Sequence, residues 1–212
     1  MSEAKEQGGC ACACAGHPED SGRRSMLTGA LALAALAPLA AVSGGAQAQA
    51  AAPAPAATRS QKPEPGDKLA FMIGPKAGKE VKPADIEVGK PPVLAYPMDP
   101  ATGKVLISKA NLLTVVRLKP ADLKPTSARN AADGIVAFSS LCTHYGCPIT
   151  TLHPSQTQIV CNCHGSVFDA ANRGAVTTGP ATRRLAMLPV TIKDGALVVS
   201  GKFDGPLGPP TT

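Results

Sequence analysis

After residue 66 the chain is built from short apolar runs fenced by Pro and Gly. Leu69–Ile73, Val93–Tyr96, Leu112–Leu118, Ile135–Ser139, Gln158–Cys161 and Ala186–Ile192 are rich in Val, Leu and Ile. Their length and β-branched content predict strands. Val190 to Val199 reads as a hairpin around Asp194-Gly195, a pair suited to a tight turn with positive φ. No 3.6-residue period long enough for a substantial helix occurs in this part of the chain. The pattern predicts an all-β domain over 67–205, with a small subdomain at about 140–182 and a tail at 206–212.

The first fifty residues follow a different pattern. Arg23-Arg24 precedes an apolar run from Met26 to Val42, and small residues follow at 46–50. This order of charge, apolar core and small residues is that of an export signal. The paired arginines point to the twin-arginine route for folded proteins, although Gly22 and Met26 replace the commonest residues there. As a helix the run would span about 25 Å, short of the roughly 30 Å hydrocarbon core. Cleavage of residues 1–50 is therefore expected, with an uncleaved membrane anchor as the alternative. Residues 51–66, mostly Ala, Pro, Gln, Thr and Ser, read as a linker. Cys10, Cys12 and Cys14, with His17 nearby, precede the signal and are expected to be silent.

Composition narrows the classes further. Aromatic residues make up 3% of the chain and Trp is absent, while Gly and Pro number 21 each. The core must therefore come from Val, Leu, Ile and Ala, and turns must be frequent. The net charge is +6, but no basic run interleaved with aromatics suggests nucleic acid. Phosphate loops, nucleophile triads and paired carboxylates are absent, so the sequence offers no substrate site of its own.

The chemistry lies in two clusters, Cys142-Thr143-His144-Tyr145-Gly146-Cys147 and Cys161-Asn162-Cys163-His164-Gly165-Ser166. Each supplies one thiolate and one imidazole, as Cys142-x-His144 and Cys161-x-x-His164. Two Cys and two His is the ligand set of a Rieske [2Fe–2S] centre. It is also a set that holds structural zinc. Zinc would leave Cys147 and Cys163 unexplained, and zinc fingers usually pair Cys with Cys and His with His. The iron–sulfur centre is the stronger reading, with a zinc-stabilised binding module as the alternative of another class. His153 has no partner spacing and is expected at the surface.

Residues 142–148 (CTHYGCP) and 161–169 (CNCHGSVFD) resemble the cluster-binding loops of Rieske proteins of the disulfide-containing branch. The resemblance is tight from about Ile135 to Pro189. It implies a Rieske-type antiparallel β-sandwich with an inserted cluster-binding subdomain. It also implies one [2Fe–2S] cluster, with Cys142 and Cys161 on the inner iron and His144 and His164 on the outer. Cys147 and Cys163 would form a disulfide tying the loops together. Ser166 would donate a hydrogen bond to a cluster sulfur, and Gly179-Pro180 would shield the third side. In cytochrome bc-type members a Tyr hydroxyl supplies a second such bond, and Phe168 stands at that position. A missing donor implies a lower potential, because bonds to the sulfurs stabilise the reduced form.

The expected function is electron transfer in the small subunit of an exported, periplasmic oxidoreductase, most similar to arsenite oxidase. A larger catalytic subunit, with molybdenum, would supply electrons, and a cytochrome or copper protein would accept them. The alternative is the quinol-oxidising Rieske subunit of a cytochrome bc-type complex.

Overall fold

The computed structural model describes residues 59–210. The paired arginines, the apolar run, the Cys10–Cys14 stretch and most of the linker lie outside the described residues. None of the described helices is long and apolar enough to cross a membrane.

In the described residues eleven strands form two antiparallel sheets. They are β1 (Lys68–Phe71), β2 (Val93–Met98), β3 (Leu113–Arg117), β4 (Ile135–Ser139), β5 (Thr151–Leu152), β6 (Gln158–Cys161), β7 (Ser166–Asp169), β8 (Ala175–Thr178), β9 (Met187–Leu188), β10 (Val190–Lys193) and β11 (Ala196–Val199). The larger sheet has the order β10-β11-β1-β2-β3-β4-β9, the smaller β5-β6-β7-β8. Among the described residues, helix is confined to one turn of α1 (Pro125–Ala128) and four 3-10 turns. The all-β expectation holds.

One residue explains the shape of the larger sheet. Ala186–Ile192 reads as one strand in the sequence, but Pro189 splits it into β9 and β10. Proline has no N–H to donate to a ladder. The two fragments therefore pair separately, and they sit at opposite edges of the hydrogen-bonding order. Edges joined by a single residue must lie close together, so the sheet curls into a near-closed barrel.

Both faces of the central strands are buried, which is why they read as unbroken apolar runs. Leu113 and Val115 of β3, with Ile135 and Ala137 of β4, join one core inside the curled sheet. Val116 of β3 and Val136 and Phe138 of β4 point the other way, into a second core. That second core also holds Ile149, Ile159, Phe168 and Met187, together with Cys142 and Cys161. It is therefore the packing of the small sheet on the large one that positions the two cysteines. The β10–β11 turn is as predicted, with φ of 51° at Asp194 and 75° at Gly195.

Candidate metal centre

Three loops converge at one end of the smaller sheet. The first follows β4 and is pinned at its neck. Ile149 N donates to Ser140 O at 2.9 Å, and Thr114 Oγ1 donates to Ile149 O at 2.7 Å. Within the loop, Gly146 N donates to Cys142 O at 2.7 Å and Cys142 N to Cys147 O at 2.9 Å. Gly146 turns the chain at φ 72°, a conformation glycine adopts at no steric cost.

The second loop is the four-residue connection of the β6–β7 hairpin, closed by the pairing of Cys161 with Ser166. Gly165 N donates to Cys161 O at 3.0 Å, and Asn162 Nδ2 donates to Thr151 Oγ1 at 2.6 Å.

The third loop follows β8. An added Cβ on Gly179 would stand 2.6 Å from Gly165 O and from Ser166 Cα. Its backbone therefore packs directly on the second loop. Ala181 N donates to Ser166 Oγ at 3.2 Å, and Thr143 Oγ1 donates to Arg183 O. The third loop is thus bonded to both ligand loops, through residues adjacent to or inside the two Cys/His motifs.

The four Cys/His residues divide by depth. Cys142 and Cys161 are each 1% exposed. Burial pushes the Cys161 thiol up to about 12, and the neighbouring Cys142 sulfur adds to the shift through a hydrogen bond. The two histidines lie at the rim, with ring centroids 4.7 Å apart and planes at 88°. His164 is exposed and His144 half-buried. His144 Nδ1 is buried without a hydrogen-bond partner. A buried polar atom left unpaired costs about 1–3 kcal/mol, so this nitrogen is suited to a ligand.

Cys147 and Cys163 lie beside Cys161. The sulfurs of Cys147, Cys161 and Cys163 are all within 4.8 Å of one another. Cys163, as hydrogen-bond partner, raises the Cys147 thiol, and burial adds to the shift. The structure keeps Cys147 and Cys163 as free thiols, so the disulfide implied by resemblance is not formed in it.

Ser166 and Phe168, both on β7, are completely buried. Phe168 shares its apolar cluster with Cys142 and Cys161, so it stands on the cysteine side of the site. His153 is half-buried, and its Nδ1 accepts from Ser155 N at 3.2 Å as part of a turn. Two residues that no sequence expectation singled out also stand at the site: Tyr145, which is 70% exposed with its ring 4.2 Å from that of His144 and 5.7 Å from that of His164, and Thr143. Both were visible inside the first motif as the residues flanking His144.

Residues 111–189 match the Rieske [2Fe-2S] domain family. The chain is 32% identical over 167 residues to the cytochrome bc1 complex Rieske iron-sulfur subunit of Streptomyces lividans, covering 71% of this chain and 96% of that one. The chain belongs to the Rieske family. The corresponding subunit of Corynebacterium glutamicum is 41% identical over 106 residues, 47% of this chain and 26% of that one. The chain thus spans about a quarter of the length of that curated relative. A solved structure, the cyanobacterial plasma membrane Rieske protein PetC3 from Synechocystis PCC 6803, aligns with TM-score 0.33 and 26% identity over 51% of this chain and 86% of that one.

As a Rieske domain the chain binds a [2Fe–2S] cluster and transfers electrons. The zinc-stabilised module is thereby set aside. The donor set suits the cluster: two buried thiols, two rim imidazoles, and a ring nitrogen that lacks a partner. When bound, such a cluster takes up and releases one electron, at a potential raised by its neutral histidine ligands.

Proposed function

We propose that this chain is the Rieske subunit of a cytochrome bc-type complex, taking electrons from a quinol and passing them to a cytochrome. The match to nearly the full length of the Streptomyces lividans subunit carries this reading. In it, Cys142 and Cys161 hold the inner iron and His144 and His164 the outer. The cysteines keep their sulfurs away from water, and the exposed edge of His164 offers a quinol hydroxyl a hydrogen-bond partner. Cys147 and Cys163, whose sulfurs lie within 4.8 Å of each other, close as a disulfide in an oxidising compartment. The working unit is residues 67–205, exported folded by the twin-arginine route and retained at the membrane by its apolar segment or by the complex.

A second reading is the small subunit of an exported molybdenum oxidoreductase of the arsenite oxidase type, with a cytochrome or copper acceptor. Phe168, with no hydroxyl to offer a cysteine sulfur, favours it. Isolation of the tagged chain from detergent-solubilised membranes of its host separates the two. Co-purification of b- and c-type haem is the expected result. Molybdenum without haem b would replace the first reading by the second. In the same preparation, Ala at any of Cys142, His144, Cys161 or His164 should abolish the Rieske EPR signal. A full-intensity signal from one of these variants would remove that residue from the ligand set.

A further inference from the structure

After β11 the chain has no regular secondary structure through Pro210, yet it returns across the metal centre. The Asp204 carboxylate accepts from Arg173 Nε at 2.7 Å, Arg184 Nη1 at 2.8 Å and Met187 N at 2.7 Å. The Asp204 carbonyl accepts from Arg184 Nη2 at 2.7 Å. Four residues on, the Gly208 carbonyl accepts from Arg183 Nη2 at 2.5 Å. Gly208 is buried, and a Cβ there would meet Leu141 Cδ1 at 3.7 Å. Pro209 covers Gly146, whose Cβ position lies 3.5 Å from Pro209 Cδ.

Leu141 and Gly146 bracket Cys142 and His144, so the segment rests on both ends of the first ligand loop. Arg183 links the same parts from the other side. Its carbonyl accepts from Thr143 Oγ1, between Cys142 and His144, while its guanidinium reaches the Gly208 carbonyl. One residue therefore joins first loop, third loop and C-terminal segment. A surface tail with no role at the site would need none of these bonds.

We propose that residues 204–209 form a clasp over the metal centre, with Arg183 and Asp204 as positioning residues that hold the first ligand loop against the third. Its effect on the cluster rests on the assignment of Cys142 and His144 as ligands, but the clasp itself does not. Amide hydrogen exchange and iron release to a chelator are measured on the full, cluster-loaded chain and on Arg183→Met, Arg183→Lys and Asp204→Asn.

Arg183→Met should speed exchange in residues 141–147 by about tenfold, leave β3 unchanged and accelerate iron release similarly. Asp204→Asn should act on the same residues. Arg183→Lys, which keeps a donor for the Gly208 carbonyl, should stay near the parent. Unchanged exchange at 141–147 in Arg183→Met, or an equal increase in β3, overturns the clasp. If Asp204→Asn does not fold, the two Arg183 variants still decide. A chain that holds no iron would sink the ligand assignment, whereas the exchange data would still judge the clasp.

Discussion

Replacing Gly179 by Ala tests the packing of the third loop on the second. The residue sits at φ 90°, and its Cβ would lie 2.6 Å from Gly165 O, 2.6 Å from Ser166 Cα and 2.8 Å from Ser166 N. All three are backbone atoms, which cannot swing aside as a side chain would. Reaching ordinary contact at 3.4 Å requires the loops to separate by about 0.8 Å. The left-handed backbone alone costs a non-glycine residue about 1–2 kcal/mol. Separation also weakens the buried bond from Ala181 N to Ser166 Oγ, worth about 1–3 kcal/mol if its groups are left unpaired.

The expected loss is therefore about 2–5 kcal/mol, accompanied by lower cluster content. Gly195→Ala is the control, because φ is 75° there and nothing lies within 4 Å of the added methyl. It should show the backbone cost alone, about 1–2 kcal/mol, and keep its cluster. Urea unfolding followed by circular dichroism gives the stabilities, and visible absorbance gives the cluster content. The close approach of the loops would be refuted if Gly179→Ala were no more destabilising than Gly195→Ala and loaded fully.

Three further outcomes follow from the same geometry. Phe168→Tyr should raise the midpoint potential by tens of millivolts in protein-film voltammetry, since 59 mV is about 1.4 kcal/mol for one electron; Ser166→Ala should lower it and also release Ala181 N. An unchanged midpoint in Phe168→Tyr would mean that the ring edge does not face a cysteine sulfur. Burial pushes the Asp204 carboxyl up, but Arg184 and Arg173 outweigh it and hold it below its ordinary 3.8. That stabilisation is present above pH 3.8 and is lost as pH falls through the folded value, so Asp204→Asn should cost about 1–2 kcal/mol at pH 7 and nothing in strong acid. Equal costs at both pH values, read from denaturation curves, would contradict it. Peptide mapping of protein purified under oxidising conditions should find Cys147 joined to Cys163, and Ser at either position should cost about 3 kcal/mol; two free thiols there would rule the bridge out.

The sequence made β4, β6 and the β10–β11 hairpin legible, because Val and Ile runs with a fitting turn carry their own signal. β5, β7 and β8 were not legible. They are two to four residues long, contain Ser, Asp and Thr, and owe their conformation to cross-strand pairing around the second loop. The break at Pro189 was readable in principle, but the curl it imposes depends on which strands flank the sheet.

At the site, the Cys/His spacing and Gly179-Pro180 were informative because each is a local motif. The bonds from Asp204 to Arg173 and Arg184 join residues 31 and 20 apart. Neither leaves a local trace, so residues 206–210 read as a tail although they pack on the first ligand loop.

Phe168 and the curated relatives pull toward different partners, and the physics of each explains why. Similarity over most of a chain reflects the many residues that set fold and packing. A cluster's potential responds to one or two hydrogen bonds, since a single bond of about 1.4 kcal/mol is already worth 59 mV. One aromatic substitution can therefore move the potential without changing the complex in which the subunit works. Quinol oxidation requires only that the acceptor lie high enough for the quinol it meets. A domain lacking the Tyr hydroxyl but retaining Ser166 would serve a more strongly reducing quinol, so a bc-type role and Phe168 are compatible. In that reading the redox partner would follow from what binds the exposed faces of His164 and Tyr145, and the potential from what lies behind the cysteines on β7.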